Sequence, residues 1–407
     1  MPTGPQPADF ADVRATNLAV VLRYVRAHAP CSRADIAATT GLNKATVSSL
    51  VADLIDRRLV RETGLTERRI GRPATMLTLD GRPYAAIGVQ VAADHLTAVA
   101  LDLAGEQLLS WQRSFGGPTM SPGRAVSVIA ALAARAATRV AAQGRRVLSL
   151  TVGVPGLVDG AGQVSSADHL GWRDLDLRAE LRAALRDPGY DVTVDNDANL
   201  CVLAEYRFGA NAGTGNLVCL TGGMGIGGGA VVDGLLLRGA RGLAGQVGHL
   251  QLDAAGPRCP CGRQGCFETL AGIPALVRRA LPDAGIDGPL ADLAPEVARL
   301  VARAREGDER TLAALAETGG RLGQGAAVLA NLLNPEVVVL GGYFTPLAPW
   351  LLPAARTELL DRTVAPQAGG CQLVASSLDL GAAAMGGAAR ALDAIDAGRL
   401  PPPRPPS

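Results

Sequence analysis

The sequence GHLQLDAAGPRCPCGRQGCFE, residues 248–268, decides how the rest of the chain is interpreted. Within eighteen residues it brings one imidazole and three thiols, at His249, Cys259, Cys261 and Cys266. Glycines and prolines between them supply the tight turns that let such closely spaced ligands converge on one ion. One histidine and three cysteines form a complete tetrahedral set, which leaves no open position on the metal. The stretch therefore predicts a structural Zn²⁺ site.

The alternative is that these cysteines are ordinary loop residues or form a disulfide. Cys259 and Cys261 are a poor disulfide pair, because a single intervening proline leaves a severely strained ring. Ligand identity, ligand number and the turn residues instead agree on zinc. Two polar residues, Gln246 and Glu268, flank the ligand set. A metal-braced loop that holds polar side chains predicts a binding site beside it.

The bulk composition limits the class of protein. The chain has 407 residues, 48% of them hydrophobic and 3% aromatic, with 50 glycines and 26 prolines, which suits an α/β protein of two or three domains. We recognise no apolar run of membrane-spanning length and no signal peptide. Seven cysteines, three of them clustered, favour a reducing cytoplasm over a disulfide scaffold. The net charge of +1 indicates no special partner.

Residues 1–80 are predicted to form a winged helix-turn-helix DNA-binding domain. Apolar residues at helical spacing predict helices that begin near Arg14, after Ser32 and after Asn43, the last two joined across a turn at Gly41. Two strand-like pieces follow and bracket an arginine-rich segment, as in a wing. The domain has 11 Lys/Arg against 8 Asp/Glu, whereas the remainder has 28 against 30, so the basic excess falls here.

The third helix is the candidate recognition helix. Its exposed N-terminal side has short side chains and one cation, as entry into the major groove requires, at Lys44, Ala45, Thr46, Ser48 and Ser49. The wing adds three arginines expected to reach phosphates or the minor groove, Arg68, Arg69 and Arg72. The alternatives are a helical hairpin packed on the next domain with solvated arginines, or an oligomerisation module.

From residue 81 onward, strands alternate with helices. Three strands form a predicted meander, and repeated strand–helix units follow, which indicates two similar α/β lobes. We assign residues 81–200 to the first lobe, with a returning C-terminal helix at about 385–397. Residues 201–384 form the second lobe with the zinc loop, and residues 398–407 are expected to be a disordered tail.

Two loops contain candidate ligand-binding residues. VDNDAN, residues 194–199, places Asn196 and Asp197 at a strand-to-helix junction, where α/β sheets hold ligands. Asp197 is a candidate general base toward a sugar hydroxyl or an acceptor for two hydroxyls, and the alternative for this loop is plain helix capping. TGGMGIGGG, residues 221–229, is a glycine-rich turn whose backbone can approach a phosphate or another chain segment.

Taken together these segments resemble the ROK family (repressors, open reading frames and kinases). The matching segments are VGVPGLVDG, VDNDAN, GGMGIGGG, GH…CPCGRQGCFE and NPEVVVLGG, in that order. The resemblance implies an actin-like (ribonuclease H-like) sugar-kinase fold, with two lobes around a sugar cleft, and assembly as dimers or tetramers. With a winged helix-turn-helix in front, the chain resembles ROK repressors that sense xylose, glucose or N-acetylglucosamine derivatives.

Carried over position by position, the resemblance implies a sugar-binding role for Gly156, His169, Asn196, Asp197, Gln246, His249 and Glu268. His249 is expected both to hold zinc and to contact the sugar. Two positions depart from the family pattern. Gln246 replaces the usual Glu, which drops the charge and adds donors, and His169 replaces the usual Asn. The preferred hydroxyl pattern is therefore expected to differ.

The main alternative is an ATP-dependent hexose kinase with an appended DNA-binding domain. ROK kinases have Asp-x-Gly-Gly-Thr, for magnesium and the ATP phosphates, where this chain has QVAADH, residues 90–95. Gln90 lacks the charge, and Ala92 and Ala93 add side chains where phosphate oxygens should come close. Met224 stands where kinases have a phosphate-binding Thr. We therefore predict no enzymatic activity, but a sugar-responsive repressor of transcription.

Overall fold

The N-terminal unit consists of three helices and a small antiparallel sheet. It is seen in a computed structural model that describes residues 10–66, 74–282, 292–364 and 370–401. The sheet has the strand order β1-β3-β2. The elements of this unit are α1 (Phe10–His28), β1 (Cys31–Ser32), α2 (Arg33–Thr40), α3 (Lys44–Asp56), β2 (Val60–Thr66) and β3 (Ala74–Leu79).

Local sequence signals begin α2 and α3 as predicted, whereas α1 begins at Phe10, before the predicted start near Arg14. Ser32 and Asp35 form a capping box at the start of α2, and Gly41 ends that helix in a left-handed conformation, with φ of 73°. The Asn43 side chain then accepts a hydrogen bond from the backbone N–H of Thr46 and begins α3. The predicted winged helix-turn-helix is confirmed, although the arginine-rich tip of the wing lies outside the described residues.

The first lobe is built on a five-stranded sheet of order β11-β7-β4-β5-β6, beside a three-stranded sheet of order β10-β9-β8. Strands β4, β5 and β6 are antiparallel, and β4 also pairs in parallel with β7. The elements are β4 (Tyr84–Val91), β5 (His95–Leu101), β6 (Gln107–Ser114), α4 (Pro122–Ala142), β7 (Arg146–Val154), β8 (Leu157–Val158), β9 (Val164–Ala167), β10 (Trp172–Leu175), α5 (Leu177–Ala184), β11 (Asp191–Asn196) and α6 (Asp197–Phe208).

The second lobe repeats this topology in a sheet of order β14-β13-β12-β15-β16. Strands β12, β13 and β14 form an antiparallel meander. Strand β12 also pairs in parallel with β15, which pairs in parallel with β16. The predicted pair of similar α/β lobes is therefore confirmed. The elements are β12 (Leu217–Gly222), β13 (Ile226–Val232), β14 (Leu235–Leu236), α7 (Phe267–Ala271), α8 (Ile273–Ala280), α9 (Ala294–Arg305), α10 (Glu309–Leu333), β15 (Val337–Gly342), α11 (Ala348–Arg362), β16 (Gln372–Ala375) and α12 (Ala382–Asp396).

Two helices separate the two sheets. The C-terminal helix α12 returns to pack on β4, β5 and β7 of the first lobe, whereas α6 packs on β12 and β13 of the second, and the two helices contact each other. Glycines permit this close approach. A Cβ atom on Gly88 of β4 would lie 1.8 Å from the carbonyl oxygen of Ala384 in α12, and one on Gly386 of α12 would lie 1.8 Å from that of Leu200 in α6. The lobes are thus joined through a tightly packed helix pair.

Helix α4 corrects the expectation that no apolar run of membrane-spanning length is present. Among the described residues it is the one helix that is long and apolar enough to cross a membrane. Its apolar face is buried with β4, β5 and β7 in the core of the first lobe, through Ala125, Val126, Ile129, Ala133, Ala136 and Val140. Packing against the sheet explains its apolar character.

The end of the described chain packs on the N-terminal unit. Residues 398–401, which composition assigns to a disordered tail, instead make specific contacts. Leu400 packs on the apolar core of the N-terminal unit, and the Pro401 carbonyl accepts a hydrogen bond of 2.7 Å from Arg57. The same core contains Leu392 and Ile395 of α12. The remaining residues of the predicted tail, 402–407, lie outside the described residues.

Candidate functional site

A cleft of about 710 Å³ lies between the two lobes. Its lining includes all seven residues predicted to bind sugar, which are Gly156, His169, Asn196, Asp197, Gln246, His249 and Glu268. It also includes the four positions at which the chain departs from the kinase pattern, Gln90, Ala92, Ala93 and Met224. Segments far apart in the sequence therefore meet in one cavity.

The junction between β11 and α6 places a carboxylate at the cleft. The Asn196 side chain caps α6, because its Oδ1 accepts from the backbone N–H of Asn199 at 3.1 Å and its Nδ2 donates to the Gly156 carbonyl at 3.0 Å. Asn196 therefore caps the helix, and its amide keeps one N–H and one lone pair for a ligand. Asp197 accepts from the backbone N–H of Ala198 at 2.8 Å, and burial raises the pKa of Asp197 to about 6. Its other oxygen is free of this capping bond and is the better candidate acceptor.

A second buried carboxylate anchors this junction from behind. Asp195 is 3% exposed, and its carboxylate accepts hydrogen bonds from Nη2 of Arg238 and Nη1 of Arg390, each at 2.7 Å. Arg238 follows β14 of the second lobe, and Arg390 lies on α12. Asp195 also accepts from the backbone N–H of Asn196 at 2.9 Å. The charged network therefore joins the candidate sugar site to the second lobe and to the C-terminal helix.

Glu268 connects the cysteine-rich loop to the first lobe. Its carboxylate lies 3.8 Å from Nε2 of His169 and 3.6 Å from Nδ1 of His249, and Sγ of Cys259 donates to it at 3.0 Å. Burial alone would raise the pKa of Glu268, but the His169 imidazole and the Cys259 contact hold that pKa below its usual range. A Cβ atom on Gly225 would lie 2.3 Å from Oε2 of Glu268, so the glycine leaves this carboxylate its space.

The four predicted metal ligands converge. Their ligand atoms, in His249, Cys259, Cys261 and Cys266, all lie within 4.8 Å of one another. The Sγ atoms of Cys261 and Cys266 are 3.7 Å apart, as are Sγ of Cys259 and Nδ1 of His249. Sulfur ligands about 2.3 Å from one zinc ion stand about 3.8 Å apart in a tetrahedron, so the observed spacing suits this ion. Because Nδ1 of His249 faces the thiols, Nε2 is left for the cleft.

Sequence reasoning missed a second polar cluster in the same cleft, at the turn between β4 and β5. The Asp94 carboxylate accepts hydrogen bonds from Nδ1 of His95 at 2.6 Å, from the Tyr343 hydroxyl at 2.9 Å and from the backbone N–H of Leu293 at 3.2 Å. Burial would raise the pKa of Asp94, but these partners hold it below its usual range. Tyr343 and Leu293 belong to the second lobe, so the cluster bridges the cleft. The adjacent Asp94 and His95 in QVAADH were the sequence signal that could have predicted this cluster.

The predicted recognition surface lies at the N-terminal end of α3. Lys44, Ala45, Ser48 and Ser49 are exposed and Thr46 is half-buried. The opposite face of the helix is buried through Val47, Leu50, Val51 and Leu54. The side chains predicted to enter a groove are therefore accessible, and the wing residues Arg68, Arg69 and Arg72 lie outside the described residues. A DNA-contacting role for these eight positions stays a prediction.

A winged helix unit joined to a two-lobed cleft is the architecture of a ligand-responsive regulator of transcription. Family models agree with this division. The model of the ROK family matches residues 86–394, and that of the MarR family matches residues 19–69. The chain therefore belongs to the ROK family, as its motifs predicted.

Similar proteins favour the regulators within this family. The chain is 30% identical to the xylose repressor of Bacillus spizizenii over 93% of its own length and 95% of the repressor. Its fold is similar to that of a ROK family transcriptional regulator, a homolog of the Escherichia coli MLC protein, with a TM-score of 0.80, 28% identity and coverage of 95% and 98% of the two chains. A ROK family glucokinase from Streptomyces griseus, in complex with glucose and AMPPNP, has a TM-score of 0.63 and 28% identity over 75% of this chain and 98% of its own. The kinase matches 75% of this chain, whereas the two regulators match 93% and 95% of it, which confirms the regulator over the kinase alternative.

Proposed function

We propose that the chain is a cytoplasmic, sugar-responsive repressor that binds operator DNA through α3 and the wing, and a sugar or sugar phosphate in the cleft. The observation that carries the proposal is the exposed N-terminal face of α3, on a unit that packs on α12, in a chain whose interlobe cleft is lined by carboxylates and imidazoles. The similarity of the chain to a xylose repressor over 93% of its length supports the same proposal.

In the cleft, the sugar is held by hydrogen bonds to carboxylates and imidazoles on both lobes. Asp197 and Glu268 accept hydroxyl protons, and His169 and Nε2 of His249 add contacts whose direction depends on their tautomers. Gln246 lines the same cavity and offers both a donor and an acceptor. Zn²⁺ on the cysteine-rich loop would act as a brace, because four protein ligands leave it no open position. It would fix His249 and Glu268 at the wall of the sugar pocket.

We further propose that the cleft has lost phosphoryl transfer. Gln90, near the end of β4, lacks the charge that magnesium needs, and Ala92 and Ala93, in the β4–β5 turn, lack the free backbone that ATP phosphates need. Met224 packs against the apolar cores of both lobes. Retention of Asp197, with its pKa near 6, suits a general base but equally suits hydroxyl recognition.

A charged network provides the route from the cleft to the DNA-binding unit. Helix α6 begins at Asp197. Arg207, in the last turn of this helix, forms ion pairs with Asp393 and Asp396 of α12. Asp396 also lies 3.2 Å from Arg26 of α1. We propose that sugar binding changes the lobe arrangement and, through α6 and α12, the placement of α1. In a dimer or tetramer this alters the spacing of two recognition helices, provided that the sugar binds the low-affinity form better.

The proposal is tested by operator release. The full chain is titrated onto the promoter DNA that adjoins its own gene, and fluorescence anisotropy is followed as xylose, glucose, N-acetylglucosamine and their phosphates are added. We expect salt-dependent binding and release by one class of sugar. Binding that no sugar reverses would contradict a sugar-responsive function. A coupled ADP assay on the same panel tests the kinase alternative, because turnover above background would contradict a binding-only cleft.

A further inference from the structure

Two buried polar atoms at the β4–β5 turn have no partner within the part of the chain that the structure describes. They are Oε1 of Gln90 and Nε2 of His95. Both residues line the interlobe cleft, and His95 is only 6% exposed. Buried polar groups in folded proteins are nearly always hydrogen-bonded, and each one left unpaired lowers stability. Hydroxyl groups of a ligand in this part of the cleft would supply the missing partners.

The His95 ring is held in one orientation. Its Nδ1 donates to Asp94 at 2.6 Å, since a carboxylate can only accept, and its ring meets Tyr343 edge-on with centroids 6.4 Å apart. Asp94 is fixed in turn by the Tyr343 hydroxyl and the Leu293 backbone N–H. With Nδ1 committed, Nε2 is the ring atom available to a ligand. This is the arrangement of a preorganised binding group rather than of a loose surface histidine.

The chemistry of this region selects hydroxyl groups over phosphate. Oε1 of Gln90 is an acceptor, as is Nε2 of a neutral His95, and two sugar hydroxyls can each donate to one of them. Phosphate oxygens only accept, and the Asp94 carboxylate would repel them. Among the described residues that line the cleft, the two arginines are Arg173 on β10 and Arg263 in the cysteine-rich loop, not at this turn. Phosphate therefore finds no cation beside Gln90 and His95.

We propose that Gln90 and His95 form a second carbohydrate subsite, so that the cleft takes an unphosphorylated disaccharide or glycoside. This inference rests on the proposed function, which places the first ring at Asp197 and Glu268. The cavity, of about 710 Å³, falls within the range of about 300–1,000 Å³ in which pockets enclose ligands larger than one sugar ring. The second ring lies where a kinase of this family would hold phosphate.

The test compares matched sugars by calorimetry on the full chain. Xylose is paired with xylobiose and glucose with cellobiose, and glucose 6-phosphate is the anionic probe. We expect one disaccharide to bind about tenfold or more tightly than its own monosaccharide, as two added hydrogen bonds permit. We expect glucose 6-phosphate to bind more weakly than glucose. Equal affinity of both disaccharides and their monosaccharides, or tighter binding of the phosphate, would overturn the second subsite.

Single-residue variants test whether Gln90 and His95 cause the disaccharide preference. Gln90→Leu and His95→Phe are each expected to remove most of the disaccharide-to-monosaccharide affinity ratio, whereas Gln112→Leu, on the exposed face of β6, leaves the ratio unchanged. An unchanged ratio in Gln90→Leu would assign the gain to another part of the cleft and overturn the assignment, even if His95→Phe fails to fold. If a monosaccharide releases operator DNA but no disaccharide preference exists, only this inference fails. If no sugar binds at all, the proposed function fails with it.

Discussion

Two hairpin turns occupy equivalent places in the duplicated lobes and face the same cleft with opposite chemistry. The turn between β4 and β5 is Ala92-Ala93-Asp94, and the turn between β12 and β13 is Gly223-Met224-Gly225. The first has side chains that fill the space and bind across the cleft to the second lobe. The second has glycines, one of which leaves room for a carboxylate and an imidazole of the candidate sugar site.

The comparison shows that the same hairpin turn can support the structure in one lobe and leave room for ligand binding in the other. The Asp94 oxygens accept hydrogen bonds from groups within the protein, so this turn links the two lobes and orients His95. Gly225 contributes no side chain, and the space goes to Glu268 and His169, which remain available to a ligand. Side-chain volume and charge, rather than the backbone plan, separate the two turns.

The largest effect is expected from adding one methyl group to the second turn. In Gly225→Ala the new Cβ would stand 2.3 Å from Oε2 of Glu268 and 2.7 Å from Nε2 of His169. Both are ends of side chains, so the fold persists while the two polar groups move away from the sugar. Loss of two such hydrogen bonds weakens sugar binding by about a hundredfold or more. Calorimetry with the releasing sugar measures this.

The matched control lies two residues away. A Cβ on Gly223 meets nothing within 4 Å, so Gly223→Ala should leave sugar affinity and operator binding as in the parent chain. Equal losses in both variants would mean that the turn matters through its backbone. No loss in Gly225→Ala would remove Glu268 and His169 from the binding site.

The next largest effect concerns the loop that holds Glu268 against the second turn. Cys261→Ser removes one of four ligands, and we expect the purified protein to lose zinc, measured by elemental analysis. Sugar affinity should fall by more than about tenfold, because a lost ligand loosens the shell that orients His249 and Glu268. Operator binding should change less, since α3 lies on a separate unit.

A serine at a cysteine outside the cluster serves as the control. Cys371 is half-buried and is not one of the four clustered ligands, so Cys371→Ser should keep its zinc and its sugar response. A parent protein without zinc would refute the metal assignment. Equal loss of operator binding and sugar response in Cys261→Ser would show that the metal supports the whole fold instead.

The contrast between the two turns also marks what sequence can predict. Helix boundaries at Ser32, Gly41 and Asn43 follow from signals a few residues long, and the four candidate metal ligands lie within one short loop. The hydrogen bond between Asp94 and Tyr343 joins residues 249 positions apart, and no local sequence pattern predicts it. Composition likewise assigned residues 398–401 to a tail, because the surface that receives them exists only after the domains have packed.

A smaller effect is expected from pH. Burial raises the pKa of Asp197 from 3.8 to about 6, so the carboxylate proposed to accept sugar hydroxyls becomes protonated below that pH. Sugar affinity should therefore level off about one unit above this pKa and fall by at most about tenfold per unit below it, as one linked proton requires. Calorimetry from pH 5 to 8 measures the profile.

Asp197→Asn separates this carboxyl from the nearby histidines. The variant should bind sugar weakly and without the slope near pH 6, because its amide does not titrate. A slope that persists in Asp197→Asn would assign the pH dependence to His169 or His249 instead. A profile that is flat in the parent chain would show that the sugar does not depend on an ionised Asp197.

The smallest effect on sugar affinity is expected from the first turn. Tyr343→Phe removes one hydrogen bond to Asp94 but leaves those from His95 and Leu293, so the turn keeps its conformation. Loss of a buried hydrogen bond to a charged group lowers the free energy of unfolding by about 1–3 kcal/mol. Denaturant titration should show this loss, with monosaccharide affinity changed less than about threefold. Tyr24→Phe, whose hydroxyl makes a 3.4 Å surface contact, should cost much less. If Tyr343→Phe instead impairs monosaccharide binding as severely as Gly225→Ala, the Asp94 turn supports the first sugar ring directly, and its separation from the monosaccharide site is wrong.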